Sequence, residues 1–423
     1  MDALPRVTAS KQLALTLLLA AVIAATYGFG VYLFPVVLPA MKHDLGFGYA
    51  QAGYITAARQ LANVAMALLS GFAASRFGAA RVMLVATVLS ATGLACLAFV
   101  HGPWLLGVVL VALNASAAAT WVPMMALVAP LIDEHHQAKA IGVIGSGTNY
   151  GVLLNGLMVP ALMGAWGWRS VWLASAVVTA LLSVVIVLLF ARLGRPETRV
   201  KVQPRAERPR FEVRTMFSRR WMLVYAIALL SGFAGVPFIT YFSAYAHDDL
   251  HLGLDVTAHA WAIVGFVGAV SGLTLGMIGD AQSPAGQPQR DGMRTALVSA
   301  GVLLLCASVI AASRPGVHAL MIAAVAFGFS FFPLFGLLHA YVGKTSEPAL
   351  AAIVCGICEA SFGVGGALGN VLGGLCKSVA GSFQPVYVVT AVASVMAVGL
   401  SCLVPGVRRA PSANRCALAD FPR

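Results

Sequence analysis

Two charged side chains lie inside otherwise apolar stretches of the chain and are the strongest candidates for chemistry. Arg59 interrupts an apolar block that begins near Tyr49, and Glu359 interrupts another that begins near Ala349. A charged residue at the centre of a membrane helix costs about 2.5–3.5 kcal/mol on insertion scales, so such residues usually serve a function. A guanidinium suits carboxylates and similar oxyanions, which makes Arg59 a candidate for binding an anionic solute. A carboxyl shielded from water can carry a proton, which makes Glu359 a candidate for proton coupling.

The depth of these two residues can be read from the sequence. Each lies ten residues from the predicted start of its helix, or about 15 Å at 1.5 Å per residue, so both are expected near the middle of a membrane. The alternative to a functional role is a structural ion pair between Arg59 and Glu359 that touches no solute.

Polar and aromatic residues in the apolar blocks are further candidates for lining a solute cavity. Arg59 and Asn63 are four residues apart, and Asn114 and Trp121 are seven apart, so each pair shares a helix face. The remaining candidates are Tyr27, Tyr32, Asn149, Tyr241 and Asn370. For each of them, an interhelical hydrogen bond or simple packing is the alternative.

The elements that must position these side chains are membrane helices. Of the 423 residues, 60% are hydrophobic and only 10% are charged, too few charges for the surface of a soluble protein of this size. The apolar blocks number twelve, and a helix of roughly 20 apolar residues crosses a hydrocarbon core of about 30 Å. Backbone groups in lipid must pair within their own segment, which favours helices. The sequence therefore predicts an all-α membrane protein with twelve transmembrane helices in a lipid bilayer.

The distribution of positive charge predicts the orientation of the chain. Ten of the 27 Lys and Arg residues lie between Arg192 and Arg220, inside one polar connector. With the N-terminus in the cytoplasm, 22 of the 27 fall on the cytoplasmic side and four in the outer loops. This imbalance follows the positive-inside rule and indicates no nucleic-acid partner, despite a net charge of +12. We expect a multi-pass protein of the bacterial inner membrane with both termini in the cytoplasm.

The connector separates two halves that repeat each other. Asp44 and Asp249, Gly71 and Gly276, and Ser75 and Asp280 are each 205 residues apart. Such a repeat predicts two pseudo-symmetric six-helix bundles with a solute site between them. The expected segments are an N-terminal stretch 1–12, bundles 13–191 and 222–404, a basic connector 192–221 and a tail 405–423.

The segment after the second predicted span resembles the loop signature of the major facilitator superfamily, G-x-L-a-D-r-x-G-r-r. In the first half the matching residues are Gly71, Arg76, Gly78 and Arg81, with Ser75 in place of the acid. In the second half they are Gly276, Asp280, Arg290 and Arg294, interrupted by nine residues. The resemblance implies the fold of that superfamily and a conformational latch at these residues; ordinary cytoplasmic charges are the alternative. It also implies that the spans carrying Arg59 and Glu359 meet between the halves.

Together these features favour a secondary transporter that works by alternating access. The expected solute is a small organic anion, such as a monocarboxylate or an aromatic acid, with proton symport left open and a monomer as the working unit. The nearest alternative is a proton-driven exporter of apolar drugs or metabolites, and a membrane receptor without transport is a further one. We expect no catalytic residue, metal or cofactor, since the sequence contains no HExxH motif, P-loop or buried Ser/His/Asp set.

Overall fold

The computed structural model describes residues 9–192, 213–280 and 291–406. The predictions for Arg290, most of the connector and nearly all of the tail therefore lie outside the described residues. Every element in the described part is helical. The helices are α1 Ala9–Ile23, a π-helical turn Ala24–Phe29, α2 Leu33–Leu45, α3 Tyr49–Phe77, α4 Ala79–Ala98, α5 Pro103–Leu131, α6 Glu134–Arg192, α7 Val213–Met216, α8 Arg219–Asp248, α9 Leu254–Asp280, α10 Gly292–Ala312, α11 Val317–Thr345, α12 Pro348–Ala380 and α13 Gln384–Leu403.

Ten stretches of the described residues are long and apolar enough to cross a membrane. One of them covers most of α6, whose 59 residues break at Gly167, where φ is 74° and ψ is 175°. The break divides α6 into two arms, before and after Gly167. The 29-residue α3 is not among the ten, and it carries Arg59 with other polar residues. The all-helical membrane architecture is thus confirmed, while the count of twelve spans stays a prediction.

Two stripes of glycine show that the halves are built alike. The stripe on α6 consists of Gly147, Gly151 and Gly156, and the stripe on α12 consists of Gly365, Gly369 and Gly374. Each glycine of the first stripe lies 218 residues before its counterpart in the second. The first two members of each stripe pack on the first long helix of their own half. Gly151 lies against Gly28 in the π-helical turn, and Gly369 lies against Phe233 of α8. A side chain at either position would strike backbone, so only glycine allows these helices to approach so closely.

The third glycine of each stripe crosses to the other half. Gly156 packs on Ala258 and Ala262 of α9, and Gly374 packs on Tyr49 and Gly53 of α3. The two halves therefore meet along α6–α9 and α3–α12. We call these two contacts the seam.

An aspartate at the end of each half's first membrane-crossing stretch fastens a loop in that half. Asp44 accepts hydrogen bonds from Arg169 at 2.5 Å and from the Trp168 indole at 3.1 Å, where α6 turns. Asp249 accepts from the Ser382 hydroxyl at 2.9 Å and pairs with Lys377, at the turn between α12 and α13. The 205-residue spacing of Asp44 and Asp249 thus has a structural counterpart in both halves.

Candidate functional site

Arg59 is held by a backbone defect in the neighbouring helix. The residue lies on α3 and is 6% exposed. One terminal nitrogen, Nη2, donates a hydrogen bond to the carbonyl oxygen of Val31. In a regular helix that oxygen would accept from the N–H four residues later, but this residue is Pro35, which has none. Pro35 therefore creates the acceptor that fixes the Arg59 guanidinium.

The other terminal nitrogen of Arg59 remains available. Nη1 is buried and has no hydrogen-bond partner. The ring centre of Phe34 lies 5.6 Å from the guanidinium carbon, so that part of the surroundings is apolar. A buried donor without a partner costs about 1–3 kcal/mol, and more when it is charged. A solute oxygen at Nη1 would remove this cost.

The π-helical turn Ala24–Phe29 lies just before Val31, whose carbonyl oxygen holds the Arg59 guanidinium. Such turns are rare and occur often at functional sites. In this turn the carbonyl oxygen of Gly28 accepts a hydrogen bond from Asn155 at 2.7 Å instead of a backbone N–H. Tyr27 lies edge-on to Trp121 with ring centres 6.4 Å apart. The turn therefore holds an aromatic pair on the inner face of the first half.

Tyr32 connects the two halves beside Arg59. Its ring lies edge-on to Phe332 of α11, with centres 5.7 Å apart. Its hydroxyl also interacts electrostatically with the Arg59 guanidinium. Tyr32 is thus one of the predicted cavity residues that the structure brings next to Arg59.

Glu359 lies on α12 and is only partly buried. The structure gives its carboxyl group no hydrogen bond and no ion pair with any described residue. Its carboxyl interacts electrostatically with Tyr27, which belongs to the other half. Glu359 therefore faces the space between the halves.

Arg59 and Glu359 do not lie at the same height, and this corrects the expectation of equal depth. Helices α3 and α12 run antiparallel, with Gly53 beside Gly374 and Val64 beside Gly363. This register places Leu368 level with Arg59, nine residues beyond Glu359, which corresponds to about 13.5 Å along the helix. The two charges form no ion pair here, and Arg59 lies closer to the end of the molecule that carries Tyr49.

The end of the molecule that carries Tyr49 is closed. We call it the predicted outer face, since the charge count places it outside. The Tyr49 hydroxyl donates to Asp248 at 2.6 Å, and the Lys42 ammonium lies 3.8 Å from the same carboxylate and 4.4 Å from the Tyr49 ring centre. These contacts join the two halves, and we call Lys42, Tyr49 and Asp248 the gate. Arg59 therefore lies beneath a closed gate.

The side chains of two predicted cavity residues, Asn63 and Tyr241, donate hydrogen bonds to a neighbouring helix of their own half. The Asn63 amide donates to the Asn114 carbonyl at 3.1 Å, and the Asn114 amide donates to the Leu110 carbonyl at 3.4 Å. The Tyr241 hydroxyl donates to the Asn370 carbonyl at 2.6 Å. The bonds donated by Asn63 and Tyr241 match the interhelical alternative, whereas the Asn114 amide bonds within its own helix. A solute-binding role for these four residues remains a prediction.

The side-chain oxygens of Asn149 and Asn370 are buried without a hydrogen-bond partner. Asn149 lies on α6 beside Gly268 of α9, within the seam. Its role also remains a prediction.

The predicted latch residues lie at the opposite end from the gate. Gly78 ends α3 with a φ of 93°, a conformation that favours glycine. Arg76 is exposed, with its guanidinium carbon 5.7 Å from the Phe77 ring centre, and Arg81 and Arg294 are exposed too. Asp291 caps α10 by accepting from the Arg294 N–H at 3.4 Å, while Gly276 lies in the last turns of α9, which ends at Asp280. A latch at these residues remains a prediction.

Sequence reasoning missed the gate and the third glycine of each stripe. The gate residues lie at helix ends, where the sequence shows only ordinary polar side chains. The glycine stripes carried a usable signal, because all three members repeat at the same spacing of 218 residues.

Comparisons with known proteins agree with this architecture. Residues 20–357 match the family model described as the Major Facilitator Superfamily. The chain is 29% identical over 161 residues to a gallate transporter of Pseudomonas putida, covering 38% of this chain and 36% of that protein. It is 25% identical over 161 residues to the multidrug resistance protein MdtH of Klebsiella pneumoniae, covering 38% and 39%. The alignments thus span less than half the length of these curated relatives.

Two solved transporter structures share the fold. The nucleoside transporter NupG superposes with a TM-score of 0.71 at 17% identity, covering 92% of this chain and 98% of that one. A bacterial homologue of the lysosomal transporter Spinster gives a TM-score of 0.71 at 14% identity, covering 93% and 96%. With a family model matched over most of its length and the same helical architecture, the chain belongs to the Major Facilitator Superfamily.

Proposed function

We propose that this chain is a secondary transporter that moves a small organic anion by alternating access, in symport with a proton. The anion is a monocarboxylate or an aromatic acid. The proposal rests on the different environments of the two terminal nitrogens of the Arg59 guanidinium. One nitrogen is anchored on Val31, while Nη1 is buried without a partner beneath the closed gate.

The surroundings of Arg59 suit an anion that carries an apolar body. Phe34 flanks the guanidinium, and the edge-on pair of Tyr32 and Phe332 lies next to it. A carboxylate at Nη1 would gain a charge-assisted hydrogen bond in a site of low dielectric. The gallate transporter among the relatives supports this class, since gallate is an aromatic carboxylate.

The proton is assigned to Glu359. Burial without a cation partner favours the neutral form of a carboxyl, and Glu359 is partly buried with no ion-pair partner among the described residues. Glu359 lies nine residues along α12 from the level of Arg59. Its carboxyl can therefore face the space between the halves without pairing with the guanidinium. Proton and anion can therefore bind at the same time.

Uptake into proteoliposomes tests the proposal. We expect labelled benzoate to accumulate when an inward-directed proton gradient is imposed, and Arg59→Gln to reduce the initial rate by about tenfold or more, given 1.5–3 kcal/mol for a charged hydrogen bond. Arg220→Gln is the matched control, since Arg220 donates to the Tyr341 hydroxyl at 3.0 Å away from this site. Equal uptake by correctly inserted Arg59→Gln and wild type would refute the proposal.

An exporter of apolar drugs is the second candidate, supported by the likeness to MdtH. Such a protein needs no anion-specific arginine. It would extrude a neutral or cationic dye against its gradient and would be insensitive to Arg59→Gln. Dye efflux from cells that express the two forms separates this candidate from anion uptake.

A further inference from the structure

A cavity lies at the predicted outer face, and Arg59 is not among its lining residues. Its volume is about 890 Å³, and its lining comes from the outer ends of α2 and α6 in one half and of α8 and α9 in the other. This volume falls within the range of small-molecule sites. We call it the outer cavity.

The lining of the outer cavity combines an apolar floor with nitrogen donors at its rim. Trp168, Met163 and Leu254 contribute apolar surface. The imidazoles of His43 and His247 line it from opposite halves, and His251 joins them from the loop before α9. His251 has a φ of 54°, a left-handed conformation in a tight turn where the Leu252 N–H bonds the Ala246 carbonyl at 2.9 Å. Each neutral imidazole has one N–H donor, and a protonated one has two.

The lining of the outer cavity also contains an ion pair. Asp44 is the one carboxylate among the described lining residues, and its Oδ2 accepts from both the Trp168 indole and Arg169, which lines the cavity too. His247 already contacts Asp248 through Nδ1, so His43 and His251 remain as imidazole donors around apolar surface. This chemistry suits a small anion with an apolar body, such as an aromatic sulfonate or carboxylate.

The outer cavity is also connected to the gate. His247 lines the cavity, and its Nδ1 lies 2.8 Å from Asp248, the aspartate that accepts from Tyr49. Because both halves contribute to the lining, the cavity exists only while the halves are together at this face. A ligand that binds one state better than another shifts the equilibrium towards that state.

We propose that the outer cavity is a regulatory site for a small organic anion, whose binding holds the gate closed. The site is separate from Arg59, so its occupant acts without entering the transport path. Binding would stop the predicted outer face from opening and would reduce loading of solute from that side.

Direct binding to the purified full chain in nanodiscs tests the site. The probe is 2-naphthalenesulfonate, a permanent anion with an apolar body, measured by titration calorimetry. We expect the dissociation constant to rise by about tenfold or more in the double variant His43→Gln/His251→Gln, since two hydrogen bonds to a charged group are lost. His101→Gln, an exposed histidine outside the cavity, should bind like wild type.

Two further variants control for misfolding of the histidine variant and for sulfonate binding at Arg59. Ala40→Glu adds a carboxylate to the lining and should weaken binding by repulsion, even if the histidine variant folds poorly. Arg59→Gln should retain the sulfonate binding that the two cavity variants lose. Loss of binding in Arg59→Gln, or full binding by both cavity variants, would overturn the proposal.

Hydrogen–deuterium exchange tests the effect on the gate. Residues 49–53 do not line the outer cavity but contact Gly374 across the seam. We expect the sulfonate to slow exchange in this segment of the wild type and not in the double histidine variant. Unchanged exchange at 49–53 with ligand bound would overturn the claim that the occupant holds the gate closed. Neither readout requires transport, so failure here is distinct from failure of the proposed function.

Discussion

At the scale of single residues, the two terminal nitrogens of Arg59 lie in different environments. Nη2 donates to the Val31 carbonyl, and Nη1 is buried without a partner. Hydropathy predicts the burial of Arg59, and Pro35 in the sequence already implies an unpaired carbonyl at Val31. The sequence does not say which donor reaches that carbonyl, because this depends on how α3 packs on α2. The free Nη1 could therefore be found only in the structure. The same holds for Glu359, whose height relative to Arg59 depends on the register of two antiparallel helices.

Glu359 is predicted to couple transport to protons. Glu359→Gln cannot release a proton, so we expect it to lose accumulation driven by a pH gradient while it still exchanges labelled for unlabelled benzoate across the membrane. Glu347→Gln, at an exposed helix cap, is the matched control and should accumulate solute as wild type does. Both readouts come from the same proteoliposomes. Gradient-driven accumulation by Glu359→Gln would show that the proton is carried elsewhere.

At the scale of elements, the glycine stripes of α6 and α12 perform two tasks. The first two members of each stripe assemble a half, and the third member joins the halves at the predicted outer face. The repeat of 218 residues was visible in the sequence. The division of tasks was not, because it depends on the tilt of α6 and α12 across their neighbours.

A larger residue at the third glycine should keep the predicted outer face open. In Gly374→Val the side chain would strike the Tyr49 backbone, and overpacking of this kind costs about 1–3 kcal/mol. We expect spin labels at His43→Cys and His251→Cys, in a background without native cysteines, to move apart in Gly374→Val. The control is Gly399→Val, since space around Gly399 is open. Identical distance distributions in the two variants would show that Gly374 does not govern closure.

At the scale of the whole molecule, two similar halves meet at one face and enclose an arginine beneath a gate. Composition and the 205-residue repeat predicted the helical bundles. The gate was not predictable, because Tyr49 and Asp248 are far apart in sequence and meet only when the halves dock. Which face points outwards rests on the charge count of 22 to four.

Sided labelling tests this orientation. We expect His101→Cys to react with a membrane-impermeant maleimide added to intact cells, because the loop between α4 and α5 is predicted to lie outside. Phe217→Cys, exposed between α7 and α8, should react only after the membrane is opened. The wild-type chain gives the background from native cysteines. The reverse pattern would invert the orientation, and with it the side on which the gate lies.

The role of Arg59 is tested most directly by comparing two ligands that differ in charge and hardly in shape. Calorimetry on the purified chain should show that benzoate binds more tightly than benzamide by about 1.5–3 kcal/mol, the usual range for a hydrogen bond to a charged group. Arg59→Gln should abolish this preference, and Arg220→Gln should keep it. If Arg59→Gln still prefers benzoate to the same extent, the free nitrogen of Arg59 does not bind the carboxylate.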